Sequence, residues 1–192
     1  MSIIRSPRHQ TPQLEGPRIS LRTPRLGDYP AWASVRGESR AFLASFEPSW
    51  ATDELTRPAY RRRLRAYQKD ARTDMGYAFF IFDKESEALL GGARISNVRR
   101  GVAQACSLGY WMGVQHAGKG YMGEAVRALI PYVFVHLKLH RLEAACVPEN
   151  ERSMRLLKSA GFREEGLARN YLRIAGEWRD HVLFALLAED VA

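Results

Sequence analysis

Apolar and polar positions alternate over residues 18–23, where Ile19 and Leu21 recur at every second place and predict a first strand closed by Pro24. Gly27 and Asp28 then open a helix that runs through Ala31, Trp32 and Val35. Residues 39–50 read as a loop rich in aromatics, with Phe42, Phe46, Glu47, Pro48 and Trp50. Thr52 or Asp53 is expected to cap a long polar helix whose apolar stripe is Leu55, Tyr60, Leu64 and Tyr67. Three strand-like runs follow, 77–82, 89–98 and 102–112, joined by short polar turns that predict an antiparallel meander.

Beyond residue 112 the period changes. Residues 113–120 form a glycine-bearing loop, and from Tyr121 the positions Ala125, Ala128, Leu129, Tyr132, Val133 and Val135 keep helical spacing to about residue 137. A strand at 142–147, a helix at 150–160 stopped by Gly161, and a hairpin of 162–174 and 177–187 turning at Gly176 complete the chain. That order packs economically only as a mixed α/β (α+β) layered domain. With no internal repeat, residues 17–190 read as one domain. Residues 1–16, with Arg5, Arg8, Pro7 and Pro12, read as a disordered basic tail.

The 192 residues are 46% hydrophobic and 26% charged, ordinary values for a soluble globular protein. No apolar run approaches the roughly 18 residues of a membrane span, and residues 1–16 lack the apolar stretch of a secretory signal, so a cytoplasmic protein without membrane contact is expected. Cys106 and Cys146 lie in apolar segments and read as buried free thiols. His116 and His140 have no second ligand at metal spacing, so no metal is expected. A net charge of +8 suits an anionic partner: a polyphosphate cofactor, nucleic acid, or a nucleic-acid-rich particle. The densest basic cluster, Arg57, Arg61, Arg62, Arg63, Arg65 and Lys69, is expected to fall all around its helix rather than on one face.

The chemistry centres on the strand–loop–helix of residues 110–122. Gly118 and Gly120 allow close backbone approach, the amides that open the helix lack partners, and Lys119 adds a positive charge. Together these suit phosphate oxygens, while the alternative is an ordinary strand-to-helix turn. The spacing is neither a Rossmann fingerprint nor a Walker loop.

Thirty residues on, the strand 142–147 leads into Pro148-Glu149-Asn150-Glu151-Arg152-Ser153, a helix, and Ala160-Gly161-Phe162. Here the chain resembles the GCN5-related N-acetyltransferase (GNAT) superfamily. Leu108-Gly109-Tyr110, His140-Arg141, Tyr171-Leu172 and Gly176-Glu177-Trp178-Arg179-Asp180-His181 make it similar to the RimJ/RimL branch, ribosomal-protein-alanine N-acetyltransferases. The resemblance implies the GNAT fold, a mostly antiparallel sheet of about six or seven strands flanked by about four helices. It also implies acetyl-CoA as donor and the N-terminal amine of a ribosomal protein, an alanine in particular, as acceptor. The implied cofactor-binding positions are Tyr110, Trp111 and Met112 on the strand, then Ala117, Gly118, Lys119, Gly120, Tyr121 and Met122, and finally Asn150 and Ser153.

In that superfamily a tyrosine often stands seven residues after the asparagine as acid for the leaving thiolate. Leu157 occupies the place here, which leaves Ser153 as the candidate hydroxyl. Direct attack by a neutral amine is expected, with the oxyanion met by backbone N–H near Met112. An α-amine titrates near pH 7.7–8.0, so a weak base suffices. Candidates are Glu47, Glu143 and Asp180, each of which reads equally as a surface or pairing charge. Phe42, Phe46, Trp50 and Tyr171 could wall a small pocket. The basic surface is a candidate for ribosome or rRNA contact, and oligomeric state stays open. Other readings are a GNAT enzyme for a small amine, such as a polyamine or antibiotic, and a CoA-binding ribosome-assembly or regulatory factor.

Overall fold

The computed structural model describes residues 13–191, so most of the expected basic tail, residues 1–12, lies outside the described residues. One sheet organises the chain: β1 (Leu14–Glu15), β2 (Ile19–Arg22), β3 (Gly76–Asp83), β4 (Leu89–Arg99), β5 (Ala105–Met112), β6 (Arg141–Cys146), β7 (Arg163–Ile174) and β8 (Glu177–Leu187). Their order is β1-β2-β3-β4-β5-β6-β8-β7, antiparallel throughout except for the parallel pair β5–β6. The sheet exceeds the expected six or seven strands because Leu14 and Glu15, read from sequence as tail, pair with Leu21 and Ser20.

Helices cover both faces. On one, α4 (Tyr121–Pro131) and α5 (Glu151–Ser159) share a core with the alternate positions Phe79, Ile81, Ala93, Ile95, Cys106, Leu108, Leu142 and Phe184. On the other, α1 (Tyr29–Glu38) and α3 (Arg57–Arg72) bury Trp32, Tyr60 and Leu64 against Phe80 and Leu89. Period-two alternation in β3 supplies both cores, since neighbouring side chains point to opposite faces.

Several boundaries differ from expectation. The aromatic loop contains a short helix, α2 (Arg40–Ala44), which makes five α-helices among the described residues rather than four. The cap of α3 is Thr56, whose hydroxyl accepts from the Ala59 amide at 3.3 Å, rather than Thr52 or Asp53; Asp53 pairs instead with Arg62. Val102 is fully exposed in a turn, so β5 begins at Ala105. The helix from Tyr121 turns π-helical over Tyr132–His136 at Pro131. There the Leu137 amide bonds the Tyr132 carbonyl.

Candidate active site

The parallel junction of β5 and β6 is short. Pairing is confined to Ala105–Arg141, Cys106–Leu142 and Ser107–Glu143, after which β5 continues to Met112 and β6 to Cys146 without joining. Each strand stays paired on its far edge, β5 to β4 as far as Met112 and β6 to β8 as far as Cys146. The near edges therefore diverge and leave backbone groups facing a gap, an arrangement that asks for a partner.

At the C-terminal end of β5 the loop reaches α4 through Gly118 (φ +77°) and Gly120 (φ +85°), left-handed conformations that favour glycine. A Cβ built on Gly118 would meet no atom within 4 Å, so the backbone there lies open. None of the amides from Gly118 to Gly123 has an acceptor among the described residues. These are the unpaired donors, at the positive end of the helix dipole, that suit an anion.

The loop is held from behind by Arg18, which sequence reasoning took only as the start of a strand. Its Nη2 donates to the Lys119 carbonyl at 2.9 Å, its Nε to Glu124 Oε1 at 2.6 Å, and its backbone N–H to Glu124 Oε2 at 3.0 Å. Its guanidinium also lies 4.5 Å from the centre of the Tyr121 ring. Burial pushes the Glu124 carboxyl up, but the bonds from Arg18 outweigh this and hold it below the usual carboxylate range. The one acid in the first turn of α4 is thus already paired. At the other end of the loop Ser39, almost fully buried, accepts from the Val114 amide at 2.9 Å. Among the expected cofactor residues, Gly118, Lys119 and Gly120 are exposed, Ala117 and Tyr121 are half-buried, and Met122 points into the core.

Across the gap, Asn150 caps α5 by accepting the Ser153 amide at 3.1 Å. The Ser153 side chain lies beside the phenol of Tyr110, which crosses from β5 to α5 with the Cys146 thiol nearby. Burial drives the Tyr110 phenol up to about 12, and Ser153 draws it partly back. Leu157, at the superfamily's tyrosine place, is buried in the core. The hydroxyl pair here is therefore Tyr110 and Ser153. Tyr110 is expected from sequence only as a cofactor-binding position on the strand, because no sequence spacing links it to α5. Burial also pushes the Cys146 thiol up to about 11 and the Cys106 thiol up to about 12, so both are neutral, free and buried.

A cavity of about 450 Å³ lies on the sheet face beneath α1 and α3, lined by Arg36, Glu47, Trp50, Arg63, Gly109 and Trp111 among others. Arg36 is 5% exposed; its fork donates to both Glu47 oxygens at 3.0 and 2.6 Å. Its guanidinium lies 4.4 Å from the ring centre of Trp50 and 5.0 Å from that of Trp111. The Trp50 indole also donates to Glu47 at 2.8 Å. The tip of the β7–β8 hairpin rests on this loop through the Ala175 amide, which donates to the Glu47 carbonyl at 3.0 Å.

Of the three candidate bases, only Glu47 lines the cavity. Glu143 is held by Arg99 at 2.5 Å and Arg141 at 3.0 Å, and Asp180 accepts the Asn170 amide at 2.8 Å. Of the four aromatics, Trp50 lines the cavity. Phe42 and Phe46 meet edge-on, and Tyr171 lies edge-on to His181. No group of His, Cys, Asp and Glu suited to a metal ion occurs among the described residues.

The Acetyltransferase (GNAT) domain family matches residues 18–163. The chain belongs to the GNAT family. As a member it is an acyltransferase, an N-acetyltransferase. "Probable N-acetyltransferase YjcK" of Bacillus subtilis (strain 168) is 38% identical over 177 residues, 92% of this chain and 98% of that one. The [Ribosomal protein uS5]-alanine N-acetyltransferase of Escherichia coli (strain K12) is 38% identical over 181 residues, 91% of this chain and 93% of that protein. Among solved structures, Mycobacterium smegmatis RimJ in complex with CoA-disulfide superposes with a TM-score of 0.87 at 31% identity, covering 94% of this GNAT chain and 88% of that one. The eight-stranded sheet and its splayed parallel pair are thus the GNAT fold. No helix among the described residues is long and apolar enough to cross a membrane.

Proposed function

We propose that the chain transfers acetyl from acetyl-CoA to the N-terminal α-amine of a ribosomal protein, with alanine as the preferred first residue. The carrying observation is the two-sided site: open amides and a strand gap on one side, a small aromatic cavity on the other, with Tyr110 between them. The relatives that act on ribosomal-protein alanine and bind CoA support the same reading.

The residues present fit the cofactor. Amides 118–123 with Lys119 would take its diphosphate, and the open edge of β5 would take its amide-bearing arm. When bound, acetyl-CoA supplies the activated thioester. Tyr110 and Ser153 would furnish O–H donors to the departing thiol end, and the raised phenol stays protonated at neutral pH.

On the acceptor side an α-amine, with a pKa near 7.7–8.0, is roughly a tenth neutral at pH 7, about two and a half units better placed than lysine. Glu47 is oriented by Arg36 and Trp50 to receive the ammonium and relay its proton. The cavity wall also carries Arg36, Arg63 and Arg94 against Glu47 and Glu54, a balance unfavourable to a polycationic amine. The volume between Trp50, Trp111 and Gly109 suits a small first side chain.

The test is mass spectrometry of peptides incubated with protein and acetyl-CoA. Free N-terminal Ala, Ser and Thr peptides should gain one acetyl group, Ala fastest. Modification confined to a blocked-terminus lysine peptide or a polyamine would overturn the reading.

A further inference from the structure

Helix α3 carries its cations in two populations. Arg62 and Arg63 are ion-paired to Asp53 and Glu54, and Arg57 lies 4.8 Å from the centre of the Tyr29 ring. Arg61, Arg65, Lys69 and Arg72 have no carboxylate partner among the described residues, and all four are exposed. They stand at i, i+4, i+8 and i+11, which places them along one solvent face with axial steps of about 6, 6 and 4.5 Å. The six cations of the cluster lie around the helix as expected from sequence, but intramolecular partners absorb Arg57, Arg62 and Arg63, and Arg72 extends the unpaired remainder into a stripe. The acids that could neutralise it are engaged elsewhere, Asp70 with Arg94 and Asp74 with Arg100.

Such a stripe weakens its own helix. Like charges four residues apart repel, and Arg57 and Arg61 near the helix start oppose the macrodipole, with no acid in the first turn. Only Lys69 and Arg72, in the last turn, suit the dipole. A polyanion laid along the face offsets the repulsion within the stripe.

We propose that the solvent face of α3 binds the phosphodiester backbone of RNA through Arg61, Arg65, Lys69 and Arg72. Four cationic side chains along a helix face contact phosphate without reading sequence. The opposite side of the same helix supplies Arg63 and Tyr67 to the acceptor cavity, so bound RNA lies behind the site and leaves it open. The choice of RNA over other phosphodiesters rests on the ribosomal acceptor proposed above; the polyanion contact does not.

The test measures fluorescence anisotropy of a labelled RNA stem-loop with the full chain and with R61Q/R65Q/K69Q/R72Q, across 50–200 mM KCl. Losing four phosphate contacts should flatten the plot of log affinity against log salt by about 3, at 0.7–0.9 per contact, and weaken binding at least about tenfold at the low-salt end. The variant's Tm should equal or exceed the parent's, and acetylation of a short peptide should be unchanged. R61Q/R65Q and K69Q/R72Q, each expected to lose about half the slope, keep the test readable should the fourfold variant fold poorly. A slope change below about 1 in a folded variant overturns the proposal. So does tighter binding to a DNA duplex of the same sequence, or loss of binding to phosphatidylglycerol vesicles with RNA binding intact. Absent peptide acetylation alongside intact, stripe-dependent RNA binding would count against the acetyltransfer reading and leave the stripe standing.

Discussion

Removing the Tyr110 hydroxyl isolates the group that structure adds to the site. In Tyr110→Phe the ring keeps its packing between β5 and α5, and only the O–H beside Ser153 is lost. A hydrogen bond to a charged group contributes about 1.5–3 kcal/mol. Because the thiolate carries full charge only as the thioester breaks, the loss falls on kcat, by about 10- to 150-fold at 1.36 kcal/mol per decade. The KM for acetyl-CoA should move less than about twofold, since the amides of residues 118–123 are untouched. Ser153→Ala should cost a similar factor. The double variant should cost less than the product, because the two hydroxyls act as one unit. The assay is steady-state thiol release with an N-terminal alanine peptide, from pH 6.5 to 9.5. With the phenol pushed up to about 12, the wild-type kcat should show no alkaline fall in that window. Both single variants retaining kcat within about threefold would refute the assignment.

Three further outcomes follow from the geometry. Gly109 lines the acceptor cavity with nothing within 4 Å of a built Cβ, so Gly109→Leu should fill the space and raise the peptide KM about tenfold or more, leaving the acetyl-CoA Kd unchanged by calorimetry. Arg18→Ala frees the Lys119 carbonyl and strands the nearly buried Glu124, so acetyl-CoA affinity should fall about tenfold and Tm should drop, with partial recovery in Arg18→Ala/Glu124→Gln. Stability should decline as pH rises above about 9. Cys106, Cys146 and Tyr110 have folded-state pKa values above their ordinary 9.0 and 10.0, so the unfolded chain releases protons first and each group takes away up to about 1.4 kcal/mol per pH unit until its folded value is reached. Urea midpoints at pH 8, 9.5 and 11 would show it, and a flat profile would contradict it.

The order of elements was legible because period two and period 3.6 are local properties of the chain, visible in Ile19–Leu21 and in Ala125–Leu129. The glycine loop could be read for the same reason: Gly118 and Gly120 mark backbone conformations that other residues avoid. What stayed hidden were partnerships across long sequence separations. Arg18 serves Lys119 and Glu124 about a hundred positions away, and Tyr110 meets Ser153 only because α5 returns beside β5. The candidate bases were inseparable by type; only the tertiary fold separates them, placing Glu47 on the cavity wall while Glu143 pairs with Arg99 and Arg141 and Asp180 accepts the Asn170 amide. Thr56 lost to Thr52 and Asp53 as the expected cap because all three are good cap residues, and the choice depends on where Pro58 fixes the first turn.

The three residue pairs between β5 and β6 hold together two sub-sheets that would otherwise be separate ribbons. A guest seated in the seam beyond Ser107 counts, for the folding equilibrium, as a ninth strand contributed from solution. The protein's resistance to unfolding then becomes a function of guest concentration, growing as RT ln(1 + [L]/Kd), and the amides bordering the seam become its most direct reporters by hydrogen exchange.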